Sequence, residues 1–115
     1  GAERTHDFSA SPGALEARVT HILYHLKDSQ TEIIRLLSGE SRDLFLDYFK
    51  ANLTEMFSGL VAHSGLDIPA SYLENYLAGS FSDTVQWWAA QKMEIPPETV
   101  AGYFLTVIEN GIVHG

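Results

Sequence analysis

His21 and His25 stand four residues apart, a spacing that puts both imidazoles on one helical face where they can meet a single metal ion. Zinc or nickel there needs a third ligand, for which His63 or an acidic residue is available. The glutamate of a zinc-protease helix is missing between them. Both histidines also flank an apolar stripe beside Ala14, which makes them boundary residues half-covered by a neighbour. No metal site is therefore expected, and a metal- or cofactor-binding bundle on His21, His25 and His63 stands as the alternative. Glu3-x-x-His6 is half of a di-iron carboxylate motif whose second copy does not occur. Serine, histidine and aspartate are present, but no Gly-x-Ser-x-Gly elbow and no Gly-rich phosphate loop accompany them. Neither a catalytic residue nor a cofactor is expected, and the chain reads as a non-enzyme.

The aromatic and polar residues in the middle of the chain are more informative. Phe45, Tyr48, Phe49, Asn52 and Met56 share one side of a helix, and an unpaired amide at Asn52 would be costly inside an apolar arc. Two arrangements satisfy it: a plain core in which Asn52 bonds a neighbouring backbone group, or a pocket with few convergent polar groups. Trp88 shares a face with Leu77 and Phe81 and should pack inside. Trp87 lies about 100° away with Tyr76, Ser80 and Asp83. It is either a contact for a partner or ligand, as interface aromatics often are, or a plain surface tryptophan.

The elements that position these residues follow from size and composition. A chain of 115 residues, 45% hydrophobic, suits one domain with a real core. Fifteen acidic against seven basic side chains leave a net charge of −8, and the basic ones are scattered. That excludes gripping a nucleic-acid backbone or an anionic membrane by charge. Without cysteine there are no disulfides and no thiolate chemistry. This composition fits a reducing cytosol, and a cytoplasmic location is expected. No apolar run approaches the length of a membrane span, and no basic-then-apolar leader opens the sequence.

Glycine and proline divide the chain into five helical segments. Ser11-Pro12-Gly13 is a helix start, followed by Leu15, Val19, Ile22, Leu23 and Leu26 on one face. Asp28-Ser29 opens a short second helix with Ile33, Ile34 and Leu37 inward, and Gly39 suits its left-handed stop. Ser41 caps a third helix over residues 42–63, with Phe45, Phe49, Leu53, Met56 and Leu60 inward, and Ser64-Gly65 ends it. Pro69 starts a fourth helix reaching Lys92, with Leu73, Leu77, Phe81 and Trp88 as its stripe. Between Tyr72 and Gln91 only Glu74 and Asp83 are charged. A helix so poor in charge is normally buried on every face, which a small monomer cannot arrange and a partner subunit can. Pro96-Pro97-Glu98 opens the last helix, with Val100, Phe104, Val107 and Ile108 inward and Asn110-Gly111 as its stop. The expectation is an all-α bundle of about five helices.

The order of these features resembles the C-terminal regulatory domain of TetR-family transcriptional regulators, most closely the type common in Firmicutes. The likeness rests on Arg35-Leu36-Leu37-Ser38-Gly39, the long aromatic helix and Leu77-Ala78-Gly79. It continues through Trp88-Ala89-Ala90-Gln91-Lys92-Met93 and Pro96-Pro97-Glu98-Thr99-Val100-Ala101. The resemblance implies a single regulatory and dimerisation domain over residues 1–115, whose last two helices pair with those of a second subunit as a four-helix bundle. It also implies a small apolar or amphipathic effector among the first, third and fourth helices. DNA would be contacted only through an N-terminal helix-turn-helix, which is not found in this sequence, and no membrane is involved.

On that frame, helical phase places the ligand site on Phe45, Phe49, Asn52, Met56 and Phe81, with His25 at its rim. The dimer face falls on Tyr76, Gly79, Asp83, Gln86 and Trp87, joined by Thr106 and Glu109. Gly79 would let two helix backbones approach closely. A protein-interaction module docking a different chain on the Trp87 surface is a further alternative.

Overall fold

The computed structural model describes residues 14–62 and 65–110. It contains five helices, α1 (Ala14–Asp28), α2 (Gln30–Ser38), α3 (Arg42–Val61), α4 (Ala70–Ala90) and α5 (Pro97–Asn110), and no strand among the described residues. The all-α bundle expected from periodicity is what forms. The starting signal Ser11-Pro12-Gly13, the half-motif Glu3-x-x-His6, His63, Ser64 and Gly111 lie outside the described residues.

Helix α3 lies along α4, α1 lies along α5, and the short α2 leans on α3 and α4. The centre is aromatic. Phe81 meets Phe57 edge-to-face at 6.2 Å and Phe104 edge-to-face at 5.2 Å, so α3, α4 and α5 each send one ring into the same cluster. Such tilted contacts between rings add to the burial of their area. Val19 and Leu23 of α1, with Val85, Trp88 and Val100, complete the fully buried core.

Several helical faces are rotated from their expected phase. In α3 the buried residues are Leu53, Phe57 and Val61, while Phe45, Phe49, Met56 and Leu60 are half-buried. In α4 the core face is Ala78, Phe81, Ser82, Val85, Trp88 and Ala89; Leu77 packs at its margin and Leu73 is half-buried beyond it. In α5 Ala101 and Leu105 are buried while Val107 is 44% exposed. The reason is geometric: each helix turns toward its tightest neighbour, which a single amphipathic stripe does not identify.

Some of the expected caps differ as well. Ser41 makes no side-chain cap; its carbonyl accepts from Phe45 N–H instead. Gly39 is extended rather than left-handed. Gly65, at φ 72°, does adopt the left-handed form that favours glycine. Pro69 stands just before α4 rather than inside it, and its carbonyl accepts from Tyr72 and Leu73.

The turn between α4 and α5 is made by two consecutive non-glycine residues in the left-handed region, Lys92 at φ 62° and Met93 at φ 54°. Such residues cost about 1–2 kcal/mol each. Compensating contacts surround them. Met93 is fully buried, its N–H donates to the Trp88 carbonyl, and Lys27 Nζ donates to the Met93 carbonyl at 2.7 Å. The Trp88 indole N–H donates to the Ile95 carbonyl at 2.8 Å. The turn is thereby tied to the end of α1, and it sets the direction in which α5 returns beside α4.

Candidate functional site

Because α4 buries its Phe81 side, Tyr76, Ser80, Asp83 and Trp87 emerge on another side, falling within a narrow arc at 100° per residue. Across from them α5 presents Tyr103, Phe104, Val107 and Ile108, and the two rows enclose an open groove of about 380 Å³. Trp87 and Tyr103 meet edge-to-face across it at 6.1 Å. One turn further along α4, Tyr72 stacks on Tyr76 at 6.5 Å.

The Ser80 and Thr84 hydroxyls on this face are engaged within their own helix. Ser80 donates to the Tyr76 carbonyl at 2.7 Å, and Thr84 donates to the Ser80 carbonyl at 2.8 Å. What the groove offers outward is therefore mostly apolar area, with Tyr76, Trp87 and Tyr103 each about half exposed. Large exposed apolar patches on small domains mark contact surfaces.

The residues expected on the dimer face divide into three groups. Tyr76, Asp83 and Trp87 line the groove. Gly79 and Gln86 do not. A Cβ on Gly79 would lie 3.7 Å from the Lys50 side chain of α3, and the Gln86 amide oxygen accepts from Arg42 at 2.5 Å. Both point toward the protein's own α3, so neither helps a second backbone approach. Thr106 and Glu109 are exposed on the outer flank of α5, whereas Tyr103 and Val107 are its groove residues. Thr84 and Tyr103 were missed from sequence; Tyr103 carries the one available signal, a large aromatic on the turn before Val107.

The expected ligand residues are not gathered around one void. Phe81 is fully buried in the aromatic core. Phe45 and Phe49 stack nearly parallel at 5.7 Å and are half-buried, and Phe49 reaches Phe81 at 6.4 Å. Met56 borders a shallow depression with Arg18, His21 and Ile22. Asn52 is exposed, and its amide donates to the Tyr48 carbonyl one turn back at 2.8 Å, the backbone-bonded alternative. It brings no polar group to a cavity. His25 is exposed on α1.

An apolar cavity of about 360 Å³ lies elsewhere, at the end of the bundle where α1 begins and α5 finishes. Leu15, Leu60, Leu66, Leu73 and Leu77 supply most of its wall. Tyr76, Val107 and Ile108 border both this cavity and the groove. Its volume is within the range of small-molecule sites. The leucines on α4 that fall just off the core face are the ones that leave this space.

On α1, His21 and His25 bring their Nε2 atoms to 3.0 Å, and the rings meet edge-to-face. Among the described residues no group of three or more potential metal ligands forms. Between these histidines Tyr24 donates its hydroxyl to the Glu98 carboxylate of α5. That hydrogen bond is the main cause that raises the Tyr24 pKa and lowers that of Glu98.

No helix among the described residues is long and apolar enough to cross a membrane. No curated protein and no solved structure matches this chain. A TetR-type family model described as a transcriptional regulator C-terminal region does match it over residues 14–110, nearly the whole chain, and the chain belongs to that family.

Proposed function

We propose that this domain senses a small apolar or amphipathic molecule and holds two copies of a TetR-like one-component regulator together, without catalysing a reaction. Domains of this family generally dimerise and bind effectors. Operator contact then belongs to a helix-turn-helix outside residues 1–115. The run from Arg35 to Gly39 and the proline-started last helix support placing it with the type common in Firmicutes, acting in the cytoplasm.

The observation that carries this reading is the apolar groove between α4 and α5, with Trp87 and Tyr103 half exposed in a chain of net charge −8. Pairing these two helices with the same two of a second copy covers the groove and relieves the exposed aromatics. The effector occupies the cavity at the end of the bundle, beside the dimer face. Because Tyr76, Val107 and Ile108 belong to both spaces, a molecule in the cavity bears directly on residues that meet the partner. Regulation requires that the effector bind one dimer arrangement better than another.

Light scattering over a dilution series tests the assembly. The expected mass is twice 12.7 kDa down to micromolar concentration. A persistent 12.7 kDa species at that concentration overturns the homodimer. Complexes of mixed mass in its place would favour the interaction-module alternative.

A further inference from the structure

The histidine pair on α1 belongs neither to the groove nor to the cavity. His21 and His25 are both exposed, and their Nε2 atoms converge to 3.0 Å from successive turns of one helix. The contact is a hydrogen bond in which one ring donates its Nε2–H to the other ring's Nε2. A metal ion would take the place of that shared proton, each ring then keeping its proton on Nδ1. A metal at the usual ~2.0–2.1 Å from each nitrogen would subtend an angle of about 90° between them, given the 3.0 Å separation. That angle is the cis angle of square-planar and octahedral complexes and is narrower than a tetrahedron requires. Imidazole donors at such an angle favour Cu²⁺ or Ni²⁺ over structural zinc, and they discriminate against Mg²⁺ and Ca²⁺, which prefer oxygen.

From this geometry we infer that His21 and His25 form a two-point chelate for a first-row divalent ion, Cu²⁺ or Ni²⁺. Water or a small ligand fills the remaining positions. Two imidazole ligands suffice for a site whose remaining positions stay open to solvent. The ion clamps two successive turns of α1 beside the Tyr24–Glu98 bond to α5. This inference does not depend on the dimer or on the effector.

The test is titration of the whole chain with Cu²⁺, Ni²⁺ and Mg²⁺, followed by calorimetry and, for copper, by electron paramagnetic resonance. The expected result is one tight Cu²⁺ per chain with coupling to two imidazole nitrogens, weaker Ni²⁺ and no Mg²⁺. His21→Gln and His25→Gln each weaken Cu²⁺ binding at least about tenfold. Copper raises the thermal midpoint of the parent chain and of neither variant. Glutamine keeps the helix, so both variants remain folded. Unchanged copper binding in both variants would assign the ion to His6, His63 or His114 and overturn the proposal. Equal binding of Mg²⁺ would also overturn it.

Discussion

The Trp87 indole and the Tyr103 ring face each other edge-to-face at 6.1 Å, joining the two helices that carry the exposed apolar surface. A ring contact of this kind adds about 0.5–1.5 kcal/mol beyond the area it buries, which favours this arrangement of the groove wall. Trp87→Ala should raise the dimer dissociation constant about thirtyfold, equivalent to ~2 kcal/mol for an interface aromatic. Sedimentation over a concentration series checks it, with helix content followed by circular dichroism. An unaltered mass profile would remove Trp87 from the interface.

Gly79 should behave in the opposite way. A methyl group there meets Lys50 at ordinary contact distance, 3.7 Å. Gly79→Ala is therefore expected to stabilise the fold by about 0.5–1 kcal/mol, the helix-interior cost of glycine. The molecular mass should stay the same. Urea denaturation together with light scattering reads both quantities, and loss of the dimer would return Gly79 to the partner face.

For the end cavity, Leu77→Trp fills the space from the α4 wall. A neutral fluorescent probe such as N-phenylnaphthylamine should bind the parent chain and lose at least about tenfold in affinity in the variant, as a filled site no longer admits it. Phe49→Ala should leave that affinity nearly unchanged, because Phe49 stacks on Phe45 and does not line the cavity. The reverse pattern would move the effector to the α3 aromatics.

Phe57 is fully buried and sits edge-to-face against Phe81. Phe57→Ala should cost about 3–5 kcal/mol of stability through lost burial and the cavity left behind. Chemical denaturation measures this. A loss under about 1 kcal/mol would be that of a surface residue and would contradict the packing.

The Tyr24–Glu98 bond predicts a pH window. Glu98 titrates below its ordinary 4.5 because the tyrosine hydroxyl favours the carboxylate, so its contribution is present above that value and is lost as pH falls through the lowered pKa. Tyr24 titrates above 10.0, chiefly because the same bond holds its proton, so its contribution is present below that value and is lost as pH rises through the raised pKa. The difference in thermal midpoint between the parent and Tyr24→Phe should thus be largest near neutrality and vanish at both extremes. A difference independent of pH would show that the hydroxyl is not bonded to Glu98.

Local chemistry determined a good deal of this protein. Apolar residues recurring every three or four positions, with Pro69, Gly65 and Pro97 as punctuation, specify five helices, because helix formation depends on residues close in the chain. The charge-poor stretch from Tyr72 to Gln91 likewise marks α4 as a helix that needs covering on more than one side. Phase alone groups Trp87 with Tyr76, Ser80 and Asp83, since the 100° step relates them whatever lies around them, and these four do share one side of the groove.

Tertiary packing decided the rest. Phe57 rather than Met56 enters the core, and Gly79 and Gln86 turn toward α3, because the rotation of a helix is set by the neighbour it packs against. Asn52 finds its acceptor in its own helix and stays outside, so the predicted pocket lost its polar group. The cavity lies where Leu73 and Leu77 of α4 stand off the core face, opposite Leu60 of α3 and Val107 and Ile108 of α5. A void is a property of how several elements fail to meet, and no pattern along one helix encodes it.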